Sequence, residues 1–223
     1  MHVRDLARFL AELSENNNRA WFVMNQPRYD ILRAEFLELI AQLIDAIGRF
    51  DPAITACDPK KALFRLHRDL RFSRDKRPYK TRFSAAITAS GLKKPSQGGG
   101  PAYYFHVDAD GTLLAAGGEY LPPPQRLRVI RQHIVDNAAE FGKLLKNRKL
   151  TATFGGLQEE DKLVRPPKGF NADAPHLEAL KLKSFIVWKE TDLAQCAPDH
   201  LARDLTGQFK DAYPLVAWLR EVK

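Results

Sequence analysis

The sequence predicts an α+β fold, a single domain in which a mostly antiparallel sheet packs against N-terminal, central and C-terminal helices. Three observations predict it: a long opening block with helical periodicity, a centre whose apolar residues alternate, and a return to helical spacing after the run Pro122 to Pro124. The 223 residues, 44% of them hydrophobic, suffice to bury a substantial core. The organisation reads as a helical part at about 1–50, a sheet-rich centre at about 62–121 and a mixed helical part at about 122–223, with no internal repeat and no low-complexity tract.

Taken in order, Leu6, Phe9, Leu10 and Leu13 recur at helical spacing, and Asn16 to Asn18 break the helix and cap the next one. That second helix carries Tyr29, Leu32, Phe36, Leu39, Ile40, Leu43 and Ile47 on one face, with Pro27 marking a kink or boundary in its early part and Asp51-Pro52 ending it. The period then changes to two. From Phe64 to Ser73 the apolar Phe64, Leu66, Leu70 and Phe72 alternate with Arg65, His67, Asp69, Arg71 and Ser73, interrupted by Arg68, which predicts a half-buried strand. After a loop at Arg74 to Lys80, where Pro78 forbids regular pairing, Phe83 to Ala89 predicts a further strand. Gly98 to Pro101 reads as a turn, and Ala102 to Asp108 with Thr112 to Tyr120 flank Ala-Asp-Gly as a hairpin. Pro122 to Pro124 opens a helix with Leu127, Ile130 and Ile134 in one stripe, and a shorter helical run surrounds Glu140 to Lys146. Phe154 to Gly169 is mostly irregular. A short helical segment follows Pro175, then a strand at Ser184 to Thr191, and last a helical stretch with Leu201, Leu205 and Phe209 in register that Pro214 divides.

Charge is the sharpest functional signal. Between Lys60 and Arg82 there are ten lysines and arginines against Asp69 and Asp75, so this window alone carries +8, the formal net charge of the whole chain. A surplus gathered at one place points to an anionic partner. No run approaches the roughly 20 apolar residues needed to span a bilayer, and the opening segment, with charges throughout its apolar positions, does not read as a secretory signal. Cys57 and Cys196 lie far from one another and from any zinc-ligand spacing, which fits packing roles in a reducing compartment; a cytoplasmic location is expected.

Several strings of residues together resemble a family, domain of unknown function family 2461. They are Asn16-Asn17-Asn18-Arg19-Ala20-Trp21-Phe22 with Tyr29, and a central string running from Arg65 through Arg68-Asp69, Arg71-Phe72-Ser73, Asp75-Lys76 and Pro78-Tyr79-Lys80-Thr81. Gly117-Gly118-Glu119-Tyr120 with Pro122, Arg131 with Ile134, and Pro167-Lys168-Gly169-Phe170 before Leu180-Lys181 complete the likeness, which covers nearly the whole chain. The resemblance implies a single α+β domain and brings no catalytic roles with it. Ala20 departs from the acidic residue expected there in many relatives.

The expected ligand site is the basic strand and loop: Arg65, His67, Arg68, Arg71, Ser73, Lys76, Tyr79 and Lys80. On an extended strand Arg65 and Arg71 stand about 20 Å apart, which suits an extended polyanion or a smaller anion held at one end. The expected function is binding of a phosphate-bearing ligand, nucleic acid or nucleotide, with Tyr79, Tyr103, Tyr104 and Trp21 as stacking faces for bases. In the structural alternative the arginines pair with Asp69, Asp108 and Glu119. A helix cap in the Asn16 to Phe22 motif, with Trp21 and Phe22 buried, and a shaped turn at Lys168-Gly169 are the expected roles of the other two motifs. As an enzyme the chain would act on a phosphorylated small molecule or phosphoester, with His67 as proton carrier oriented by Asp69, or with a metal held by His67, Asp69, His106 and Asp108. A scaffold docking on an acidic surface is the third reading. No Walker loop, dinucleotide fingerprint, nucleophile elbow or HExxH string is present, and no cofactor is expected.

Overall fold

The structure is a computed structural model and describes residues 3–71, 74–89, 100–196 and 200–223. The two opening helices, α1 (Val3–Glu15) and α2 (Arg19–Gly48), form where the periodicity places them. Asn18 caps α2, its side chain accepting from the Trp21 amide at 3.0 Å. Pro27 neither ends nor divides α2, which runs on to Gly48. A 3-10 turn at Pro52–Ile54 and the single turn α3 (Pro59–Ala62), capped by Asp58, lead into the basic segment.

The sheet is one antiparallel meander in the order β1-β2-β3-β4: β1 (Arg82–Thr88), β2 (Ala102–Asp108), β3 (Thr112–Glu119) and β4 (Phe185–Asp192). The hairpin through Ala109-Asp110-Gly111 is as its turn residues predict, with Gly111 at φ +78° and Asp108 accepting from the amides of Asp110 and Thr112. Between β3 and β4 the chain forms α4 (Pro124–Asp136), α5 (Ala138–Leu145), α6 (Arg148–Phe154) and α7 (Leu177–Leu180); α8 (Leu201–Glu221) closes it.

Two further expectations fail. Phe64 to Ser73 does not join the sheet as a strand: of its described residues, only His67 makes an isolated bridge, to Tyr79, while Leu63 bridges Ala85 of β1. The charged positions on both sides of Arg68 leave too little apolar surface on either face to hold a full strand against β1, so the chain departs from the sheet after Phe64, whose amide bonds the Ser84 carbonyl at 2.9 Å. Pro214 likewise fails to divide the last helix. Eight buried residues, from Leu201 to Leu219, hold α8 on both sides of it, and that packing outweighs the roughly 3 kcal/mol an interior proline costs. α6, capped by Asn147 through the amides of Lys149 and Leu150, is a helix the periodicity does not announce.

Alternation assigns each strand residue to a face. One face carries Ala85, Ile87, Tyr103, Phe105, Leu113, Ala115 and Val187, all buried, and the helices pack here. α8 passes close over Gly117, where a Cβ would lie 2.6 Å from the Ala212 methyl. The C-terminal end of α8 is tied back by Arg126, which bonds the buried Glu119 carboxylate and donates to the carbonyls of Leu219 and Val222. Asp51, 1% exposed, takes both amino groups of Arg220 and the Tyr103 hydroxyl, joining the end of α2, β2 and α8.

Candidate functional site

Beyond Phe64 the basic segment makes an excursion from the sheet and returns to it at Arg82. Its neck is a short antiparallel pairing, with Arg68 donating to the Pro78 carbonyl at 2.9 Å and Lys80 to that of Leu66 at 2.8 Å. Leu66 and Tyr79 are buried, and Tyr79 stacks on Phe22 with centroids 4.2 Å apart and planes at 21°. His67 is exposed and packs edge-on against Phe22 and Tyr79. The segment's two acids are both engaged. Asp75 pairs with Arg68 and Arg77, and Asp69 with Arg71; the guanidinium partners hold both carboxyls well below the usual carboxylate range. Ten cations against two acids leaves the local surplus in place, and Arg65, Arg74, Lys76 and Arg82 are exposed. Lys80 lies over the Phe64 ring, 5.4 Å from its centroid.

Of the residues expected to bind the anion, Tyr79 is a packing residue, Arg68 and Arg71 have carboxylate partners, Lys76 reaches the Leu70 carbonyl at 3.3 Å, and Ser73 lies outside the described residues. Asp69 turns to Arg71 and not to His67. Among the described residues no three His, Cys, Asp or Glu side chains converge to hold a metal, so His67, Asp69, His106 and Asp108 do not form one site. His67 sits on the excursion, whereas His106 is buried on the sheet.

The second face of the sheet holds a cavity of about 380 Å³, within the range of small-molecule sites. Its shape follows from the register. Ala86, Tyr104, Ala116 and Trp188 are successive cross-strand neighbours, so two aromatic side chains rise on either side of a methyl group. The adjacent row runs Ser84, His106, Leu114 and Glu190, and Ala102 with Gly118 keeps the next row low. Phe64 and Arg82, the two ends of the excursion, line the wall beside β1, while Glu160 and the exposed Tyr120 complete it elsewhere. The Gln158 amide bonds the Ile186 carbonyl at 2.9 Å and so fixes the Glu160 segment to β4.

Its polar groups are few. His106 is 8% exposed, and burial, aided by Arg82, lowers its pKa from 6.5 to about 4, leaving a neutral imidazole at physiological pH. Nδ1 lies 3.1 Å from the Tyr104 hydroxyl. Burial raises the Tyr104 pKa, so this phenol keeps its proton. Arg82 is exposed and makes no ion pair among the described residues; its cross-strand neighbour Asp108 spends Oδ1 on turn amides.

Residues 5–218 match the family model described as conserved hypothetical protein, DUF2461. The chain belongs to that family. No curated protein and no solved structure matches it. In this DUF2461 chain the Asn16 to Phe22 string caps α2 and grips the excursion, Gly117 and Glu119 serve the contact between the sheet and α8, and Gly118 lets β4 approach β3. Tyr104, one of the four aromatics named as stacking faces, lines the cavity; Tyr103 is wholly buried and Trp21 packs on Phe9. Arg82, Trp188, Phe64 and Glu160 are not among the residues expected to bind. The sequence signal for them is the run of small residues within the strands, Ser84 to Ala86 in β1 and Ala115 to Gly118 in β3.

Proposed function

We propose that this protein binds a small phosphate-bearing ligand of the nucleotide class, its body in the cavity on the second face of the sheet and its phosphate at the basic rim around Arg82. The observation that carries this reading is the Arg82 guanidinium, without an ion-pair partner among the described residues, at the wall of an aromatic-lined cavity. A planar guanidinium offers paired donors to phosphate oxygens. The surplus of the excursion, which begins and ends at that wall, adds attraction at longer range. A cavity of this size takes one ring system, which favours a nucleotide over a long nucleic acid strand as the fitted ligand.

Calorimetric titration with adenosine 5′-monophosphate at low and high salt tests it. Affinity falls as salt rises, and Arg82→Ala weakens binding about tenfold, the order of one charge-assisted contact. Absence of binding at low salt, or binding indifferent to both salt and Arg82→Ala, would overturn the proposal. An oligonucleotide binding much more tightly than the monophosphate would move the reading to nucleic acid.

A further inference from the structure

We infer that the cavity is a base-recognition slot: a planar heteroaromatic ring inserts between Tyr104 and Trp188 above Ala116, and His106 reads a hydrogen-bond acceptor on its edge through Nε2–H. This deepens the reading of a nucleotide-class ligand and rests on it.

The dimensions come from the sheet. Tyr104 and Trp188 are each cross-strand neighbours of Ala116, on opposite sides. Strands lie about 4.8 Å apart, so the two aromatic side chains rise from points about 9.6 Å apart. A ring stacked on both sides needs about 7 Å between its neighbours' planes. Ala116 puts only a methyl group on the floor between them, where any larger side chain fills the gap.

The chemistry comes from the row beside it. With the Tyr104 hydroxyl as donor to Nδ1 of His106, 3.1 Å away, the imidazole proton sits on Nε2, and this tautomer is part of the inference. Nε2 has no hydrogen-bond partner among the described residues, and His106 lines the cavity. Nε2 is not among the buried atoms left without a partner, so it is open to the cavity and available to a ligand acceptor. Ring carbonyls and ring nitrogens of nucleobases are acceptors of the right kind. Tyr104 has two roles, as a stacking face and as the positioning residue that fixes the imidazole tautomer. His106 is the specificity-determining residue.

The test compares adenosine 5′-monophosphate, adenosine and ribose 5-phosphate by calorimetry, with Trp188 fluorescence followed against a Trp188→Phe control. The nucleotide is expected to bind at least tenfold more tightly than ribose 5-phosphate and to quench Trp188. Ala116→Leu, which fills the slot, should abolish that preference while leaving the weak phosphate binding. His106→Leu should reduce it several-fold, and Tyr104→Phe should do so with a changed imidazole tautomer in the ¹⁵N spectrum. Equal binding of nucleotide and ribose 5-phosphate would overturn the slot and leave the phosphate reading standing. Equal binding of adenosine and its monophosphate would leave the slot and overturn the phosphate reading. Binding of none of the three would overturn both.

Discussion

The carboxamide of Asn17 pairs with the backbone of Tyr79 as a neighbouring strand would, its Nδ2 donating to the Tyr79 carbonyl and its Oδ1 accepting the Tyr79 amide, both at 3.0 Å. This side chain, at the junction of α1 and α2, closes an otherwise unpaired edge of the basic excursion. Asn17→Ala removes both bonds and is expected to cost about 1–3 kcal/mol. Amide exchange at Tyr79 should quicken more than exchange in β2, which hydrogen-exchange mass spectrometry can resolve. Equal protection in the variant would show that Tyr79 stacking on Phe22 holds the excursion alone.

Buried Asp51 pairs with partly buried Arg220, 169 residues away in sequence. Burial and the Asp51 carboxylate hold the Tyr103 phenol far above its ordinary pKa, so its hydroxyl remains a donor to that carboxylate. Asp51→Ala removes the counter-ion of the partly buried Arg220 and the acceptor of Tyr103, and should destabilise by about 2–3 kcal/mol in a denaturant titration. Tyr103→Phe, which removes one neutral donor, should cost about 1 kcal/mol.

His106 predicts an acid-dependent loss of stability. The fold lowers the imidazole pKa from 6.5 to about 4, so between these values the unfolded chain binds a proton that the folded chain refuses. Its contribution is fully present above pH 6.5 and is lost as pH falls towards 4, on the order of 3 kcal/mol in all. The groups around it are Arg82, which lowers the pKa further, and Asp108, which opposes that shift. His106→Leu should flatten this part of the stability–pH curve, and titration of its ring proton by NMR should give a midpoint well below 6.

Two adjacent glycines should respond unequally to alanine. A methyl at Gly117 meets the Ala212 side chain at 2.6 Å, and a small shift of α8 relieves it at about 1–3 kcal/mol. At Gly118 the same methyl would sit 2.1 Å from the Phe185 carbonyl oxygen, on backbone at φ +126°. Gly118→Ala should therefore lower the melting temperature more than Gly117→Ala and disturb pairing between β3 and β4.

Much of the fold was legible because local signals and packing agree. Leu6 to Leu13, the Asn18 cap, Ala-Asp-Gly and the Pro124 helix start each carry their structure in adjacent residues. The apolar alternation from Phe64 was misleading, since Leu66 is buried by α2 and the neck of the excursion and not by a sheet. The candidate site was harder to read. Basic residues announce themselves by composition, and the excursion they form is where the sequence places it. A slot made by Ala116 between Tyr104 and Trp188 depends on strand order and register, which join residues 104, 116 and 188 only once the sheet is assembled. Tyr104 was named for its aromatic face, but nothing adjacent to it in sequence distinguishes it from Tyr103, whose hydroxyl is committed to Asp51.

The latch at Asp51 reaches almost to the last residue, and Arg126 draws on the carbonyls of Leu219 and Val222. A chain trimmed to the matched residues 5–218 would keep every strand and the whole slot, yet leave Asp51 without its counter-ion and Arg126 without two acceptors. Leu219, Arg220 and Val222 work as a clasp for the interior, and any shortened version should keep them.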